Sequence, residues 1–178
     1  MTESPHASGA SFRVGHGYDL HRLDRRPPLG AGKPFILGGV RIPADRGPVA
    51  HSDGDVLLHA VTDAILGALA FPDIGQLFPD TDAAHADADS GTFLAEAVRR
   101  AAAAGWRVVN LDATVILEGV KIAPVKEAVR ARLASMVGVP EARVNVKGKS
   151  HERVDAVGEG RAVEAHAVVL MERVPDGH

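Results

Sequence analysis

Asp19 and His21 stand two residues apart in the segment FRVGHGYDLHRL. On a β-strand that spacing puts both side chains on one face, within reach of a common ion. His59 sits in a stretch of helical apolar spacing, with Asp55 and Asp63 four residues to either side on the same stripe. Two ligands from a strand and one from a helix make an Asp-His-His set with an open fourth position, the pattern of a catalytic rather than a structural zinc. The same residues admit a plainer reading: Asp19 as a surface carboxylate, and His59 as a half-buried histidine satisfied by Asp55 or Asp63. His51-Ser52 stands directly before the helix, where backbone N–H groups and the positive dipole end favour an anion such as phosphate. Ser52 would also serve there simply as a cap. Asp53 and Asp55 disfavour a bare anion at that place, so a metal-bound phosphate suits it better. Lys147, Lys149, Ser150 and Glu152 follow a strand directly. They read either as a phosphate and Mg²⁺ site or as an exposed charged loop, and Lys121 is open in the same way. His16, His85, His151 and His166 gain nothing from spacing and read as surface or packing residues.

Composition narrows the chemistry. The chain of 178 residues suits one domain, and its 20 basic against 23 acidic residues leave a net charge of −3. A broad electrostatic grip on nucleic acid or an anionic membrane is excluded on that balance. Cysteine is absent, so any metal must be held by His, Asp and Glu. Aromatic residues at 4% argue against a base-stacking surface. Charge is unevenly placed: residues 51–89 hold eight aspartates and no Lys or Arg, which leaves +5 on the remainder. No Ser/His/Asp triad, Walker-A loop or dinucleotide fingerprint is present. No stretch reads as a bilayer span or a targeting peptide, so the expectation is a soluble, cytoplasmic protein.

The elements that must position these residues follow from periodicity. Phe12–Leu23 alternates as a strand, with Val14, His16, Tyr18 and Leu20 on one side. Phe35–Ile42 reads as a hairpin turning at Gly38-Gly39. Ser52 is the expected N-cap of a helix reaching Ala70, with Asp55 completing a capping box. Residues 71–90 read as a long loop. A second helix capped by Ser90 runs to Ala104, and Trp106–Leu117 alternates as a strand with Val108, Asn110, Asp112 and Thr114 on one side. A helix over Pro124–Val137 and strands over Arg143–Lys147 and Ala162–Met171 complete the order. The expectation is a single α/β (α+β) domain over residues 12–173, a mixed sheet with helices packed on one face. Residues 1–11 read as a disordered extension and 174–178 as a frayed tail.

Together, GHGYDLHRL, GGVRIP and AHSDGDVLLHAVTDAILGALAFPDIGQLFPDTD resemble the 2-C-methyl-D-erythritol 2,4-cyclodiphosphate synthase family, over about Arg13 to Met171. The resemblance implies conversion of 4-diphosphocytidyl-2-C-methyl-D-erythritol 2-phosphate to the cyclic diphosphate with release of CMP, on the non-mevalonate route to isoprenoid precursors. The alternative function is a metal-dependent phosphohydrolase of a small phosphorylated metabolite. By the resemblance, Asp19, His21 and His59 hold Zn²⁺ and, with His51 and Ser52, meet the phosphates. Asp73, Ile74 and Gly75 hold the methylerythritol hydroxyls, and the loop with Phe78, Asp80 and Asp82 closes over them. Lys121, in the segment Leu117–Ala123, and Lys149 belong to the cytidine side. Glu152 binds Mg²⁺ or Mn²⁺, His51 and Ser150 stabilise the transition state, and Asp63 orients His59. The resemblance further implies a homotrimer with sites between subunits. Three departures stand out: Val120 where the family often has Pro, Lys149 and His151 in place of the usual residues, and a segment Val154–Gly160 two residues shorter. That segment has no counterpart of the Phe and Arg that line a central cavity in many relatives.

Overall fold

The computed structural model describes residues 11–82 and 86–175. His85, Met1–Ala10 and Asp176–His178 therefore lie outside the described residues. The strands are β1 (Phe12–Arg25), β2 (Ile36–Leu37), β3 (Val40–Arg41), β4 (Arg46–Pro48), β5 (Trp106–Ile116), β6 (Val144–Lys149) and β7 (Ala162–Arg173). The helices are α1 (Val56–Ala68), α2 (Ile74–Leu77), α3 (Ser90–Ala103), α4 (Lys126–Val137) and α5 (Asp155–Gly158), with a 3₁₀ turn at Glu141–Arg143. The main sheet has the order β4-β1-β7-β5-β6; only the β5–β6 pair is parallel, and β2–β3 forms a separate hairpin. The mixed sheet of the sequence reading is present.

Why α1 lies where it does can be read from β1. Gly15 and Gly17 are the inward positions, and a Cβ there would come within 1.8 Å of Ala64 O and 1.9 Å of Ala60 O respectively. Only glycine permits that approach of helix backbone to strand backbone. Eleven residues of α1 are buried, among them Leu57, Leu58, Ile65 and Leu66, because the helix is enclosed by β1, β7 and α3. At roughly 1.5–3 kcal/mol for each large apolar side chain, α1 is the centre of the core. α3 packs on β5, α1 and α4, and α4 packs on β6. The opposite face of the sheet is uncovered: Val14 is 67%, Tyr18 44%, Leu20 45% and Val168 41% exposed. Helices on one face, and Val14, His16, Tyr18 and Leu20 together on the other, agree with the expectation.

Several local expectations are corrected. Asp55, not Ser52, caps α1; it accepts from Leu57 N at 3.2 Å and Leu58 N at 3.1 Å. Its carboxylate also accepts from Gly38 N at 2.9 Å and Gly39 N at 2.7 Å, so the cap is tied to the hairpin turn. That turn has both glycines at positive φ, as a tight hairpin requires. Asp89 rather than Ser90 caps α3. The long loop after α1 contains α2, capped by Asp73. In β5 a register shift between Val108 and Asn110 reverses the alternation, so Trp106 and Val108 join Leu111, Ala113 and Val115 inside. The chain end is tied down at its start: Val174 N donates to Gly105 O at 2.8 Å, and Arg173 N to Ser11 O at 2.9 Å.

Candidate active site

Asp19 and His21 leave β1 on the side facing α1, and His59 leaves α1 toward them. Asp19 Oδ2 lies 2.9 Å from His59 Nδ1 and 3.2 Å from His21 Nε2, and the two imidazole nitrogens are 3.2 Å apart. Three ligands at zinc bond lengths and tetrahedral angles stand about 3.3 Å apart, so this triangle fits such an ion. Among the described residues no other group of three potential metal ligands converges. The plainer reading of His59, a histidine satisfied by Asp55 or Asp63, is set aside by this geometry.

The far side of the His59 ring explains its aim. Nε2 lies 2.8 Å from Ser90 Oγ and 3.3 Å from Ser52 Oγ. Ser90 Oγ donates to Asp53 Oδ1, and Ser90 N donates to Asp53 Oδ2 at 3.1 Å. With its proton committed to Asp53, the Ser90 oxygen can accept from His59 Nε2–H, the tautomer in which Nδ1, on the Asp19 side, is available to ligate a cation. Burial opposes ionisation of Asp19, yet the His59 contact and the charges of His21 and His59 hold its pKa below the usual carboxylate value. Burial lowers the pKa of His21 and so favours the neutral, ligating imidazole.

Asp63 does not orient His59. It accepts from Ile74 N at 2.8 Å and thereby anchors the start of α2; burial pushes its carboxyl pKa up. Ser90 and Asp53 take the positioning part that the sequence reading gave to Asp63. The expected anion site at the α1 N-terminus is also corrected, since Asp55 occupies the first free N–H groups. What His51 and Ser52 offer at that end is therefore their side chains, not the helix N–H groups. His51 is exposed, with Nε2 3.2 Å from Asp82 O, and its own carbonyl accepts from Lys33 Nζ at 2.9 Å.

A cavity of about 210 Å³ opens on this centre, lined by His21, His51, Ser52, His59 and, from the α2 loop, Ile74, Gly75, Phe78 and Asp80. Phe78 stacks on Phe93 at 4.5 Å between ring centroids, which fixes the outer wall. Asp73 lies in a neighbouring depression with Tyr18 and Asp63, and its carboxylate accepts from Gln76 N at 2.8 Å.

The remaining predicted residues form a second cluster. Lys121, Lys149 and Ser150 line a cavity of about 500 Å³ at the end of β5 and β6, with Leu117–Ala123 as its floor. Glu152 accepts from Ser150 Oγ at 2.7 Å and has φ +50°. The pairings Asp19–Ala165, Ala165–Val115 and Val115–Gly148 carry one row across the sheet. The two clusters thus share a row but stand three strands apart, roughly 14 Å. Val144 and Val146 point toward α4, so Asn145, Lys147 and Lys149 alternate to the uncovered face, whereas Asp19 and His21 face α1. The chain does not bring the two clusters to one place. His151 lies 3.0 Å from Asp155 and 3.1 Å from Glu164, and His16 lies 3.2 Å from His166, all by the uncovered face.

A one-face-covered α/β sheet carries a carboxylate–imidazole centre that could hold a metal ion, at a small cavity with a largely apolar lining. More narrowly, the chain belongs to the YgbB family, which matches residues 12–172. It is 56% identical over 163 residues to the chloroplastic 2-C-methyl-D-erythritol 2,4-cyclodiphosphate synthase of Catharanthus roseus, covering 92% of this chain and 66% of that protein. It is 51% identical over 160 residues to the synthase of that name from Chromobacterium violaceum, covering 90% of this chain and 98% of that protein. The chain thus spans somewhat less than two thirds of the plant relative and nearly all of the bacterial one. A solved Plasmodium falciparum IspF in complex with CDP superposes with a TM-score of 0.79 at 33% identity, covering 92% of this chain and 97% of that one. Among the described residues no helix is long and apolar enough to cross a membrane.

Proposed function

We propose that this chain converts 4-diphosphocytidyl-2-C-methyl-D-erythritol 2-phosphate to 2-C-methyl-D-erythritol 2,4-cyclodiphosphate and CMP. The observation that carries this is the Asp19–His21–His59 triangle beside His51 and Ser52, in a chain so close to synthases of that name. In the reaction a 2-phosphate oxygen attacks the β-phosphorus. The bond from that phosphorus to the oxygen bridging the α-phosphate breaks, CMP leaves with the electron pair, and an eight-membered ring closes. The nucleophile is already anionic near neutral pH, so no protein base is needed. What the protein supplies is proximity, in-line geometry and charge neutralisation.

Asp19, His21 and His59 would hold Zn²⁺, and Glu152 would hold Mg²⁺ or Mn²⁺. Bound there, such cations supply Lewis-acid neutralisation of the phosphate oxygens. His51 and Ser52 hydrogen-bond the phosphates, and His51 and Ser150 meet the charge that develops at the β-phosphate. Ile74 and Gly75 present backbone to the methylerythritol hydroxyls, Asp73 and Asp80 offer carboxylates, and the segment from Phe78 to Asp82 excludes water. Lys121 and Lys149 serve the cytidine side.

A homotrimer with sites between subunits belongs to the same reading. The distance between the two clusters on one chain, their opposite facing, and the apolar uncovered side of the sheet support it. A cytoplasmic setting for the enzyme belongs to the same reading. The central cavity lined by Phe and Arg in many relatives is not carried over. Incubation of the chain with the CDP-carrying substrate and Mg²⁺, followed by ³¹P NMR, tests the reading. CMP with a cyclic diphosphate is the expected outcome. Inorganic phosphate or an open-chain product would overturn it in favour of a phosphohydrolase.

A further inference from the structure

One further cavity shares no lining residue with the cavities at either cluster. It has a volume of about 930 Å³ and is formed where the end of β1 and the loop after it fold against β4. Four basic residues line it, Arg25, Arg26, Lys33 and Arg46, against one acidic residue, Asp45. We propose that this basic cavity binds the phosphate groups of a small phosphorylated molecule, at a site separate from the metal centre.

The cavity is preformed. Asp24 accepts from Arg25 N at 2.8 Å and from Ala31 N at 3.2 Å, which closes the loop on itself. Gly32 N donates to Arg25 O at 2.9 Å, Leu29 N to Arg26 O at 3.1 Å, and Arg26 N to Asp45 O at 3.1 Å. The loop is pressed on β4 closely enough that a Cβ at Gly47 would come within 1.7 Å of Lys33 O. Backbone donors and acceptors are thus used in building the wall, and the charged side chains are left over.

Those side chains divide in two. Lys33 is committed: its ammonium donates to His51 O, to Ser52 O and to Asp87 Oδ1. It adds positive charge to the cavity but no free donor. The guanidinium groups of Arg25, Arg26 and Arg46 make no hydrogen bond or ion pair with another described residue, although the Asp24 carboxylate is near enough to Arg46 to feel its charge. Elsewhere in this chain exposed arginines do find carboxylates, as Arg99 and Arg100 find Glu96 and Arg107 finds Glu172. Three unpaired planar forks around one concavity match the bidentate geometry of phosphate oxygens better than any neutral ligand. Pro27, Leu29 and Pro34 add apolar rim, and the volume falls in the range of small-molecule sites rather than of a single ion. An inorganic polyphosphate and an organic phosphate ester share the recognising chemistry, and affinity distinguishes them.

Calorimetric titration of the metal-loaded full chain with inorganic diphosphate and, separately, with ADP tests the proposal. Three proteins are compared: the parent, His59→Ala, and the triple variant Arg25→Gln/Arg26→Gln/Arg46→Gln. Binding that survives in His59→Ala and weakens about tenfold or more in the triple variant is expected, as is a fall in affinity with added salt. ADP binding more tightly than diphosphate assigns the apolar rim to an organic group; equal affinity assigns the site to the phosphates alone. Arg25 and Arg26 are exposed, so the single variant Arg26→Gln, with an unchanged melting temperature, guards against loss through unfolding. Unchanged affinity in the triple variant, or loss of all binding in His59→Ala, would overturn the proposal. The cyclisation assay is unaffected by either outcome, so this site and the proposed reaction fail independently.

Discussion

His59 Nε2 lies 2.8 Å from the Ser90 hydroxyl, and that hydroxyl donates its own hydrogen bond to Asp53. One short relay thereby favours the tautomer of a metal-facing imidazole. Ser90→Ala removes the nearer acceptor for Nε2–H, leaving only Ser52 Oγ at 3.3 Å, while all three ligand atoms stay in place. Zinc affinity, read by competition with a chromogenic chelator, should fall about 10- to 100-fold. The melting temperature of the metal-free protein should change little by comparison. Undiminished zinc affinity would deny Ser90 its positioning role.

Replacing a ligand itself has a different signature. His59→Ala should lose both bound zinc and cyclising activity, while circular dichroism retains the native helix content. Full activity in a metal-free variant would remove the ligand assignment.

Asp63 holds the first turn of α2 rather than the metal. Asp63→Ala should therefore raise KM, through a loosened Ile74–Gly75 segment, and leave zinc content near the parent value. Loss of zinc in that variant would restore Asp63 to the neighbourhood of His59.

Asp55 is fully buried and accepts from four backbone N–H groups in two separate elements. Asp55→Ala leaves those donors without partners and should cost about 4 kcal/mol, combining a lost cap with orphaned buried donors. In a chain of this size that lowers the melting temperature by roughly 10 °C. A drop under about 2 °C would show that water enters and satisfies the turn.

Charge on the uncovered sheet face tests assembly. Val14→Glu and Val168→Glu, both at exposed apolar positions, should yield monomers in sedimentation velocity and abolish cyclisation with zinc still bound. A fully active monomer would mean that one chain completes the site.

What could be read before the fold was known follows a physical line. Asp19, His21 and His59 were legible because strand and helix periods alone decide which side chains share a face. The covered and bare sides of β1 were legible for the same reason, with Gly15 and Gly17 marking the close approach. Ser90 and Asp53 were not, because a loop whose path no period encodes brings them under His59. The true cap of α1 was hidden likewise. Ser52 and Asp55 both suit a cap, and the choice is made by Gly38 and Gly39 in a hairpin far away in sequence. The inward turn of Val108 depends on one extra residue in β5, which alternation cannot announce. The opposite facing of Lys149 and Asp19 required the order of the strands, and that order is a tertiary fact.

The contact of Gly15 and Gly17 with α1 has a consequence for the metal centre. Main chain already rests on main chain, so the frame cannot be squeezed inward to serve a smaller ion. With α3 packed against the helix as well, it cannot back away either. The spacing of the ligands is thus a gauge set by backbone and core, and the ion must suit the gauge.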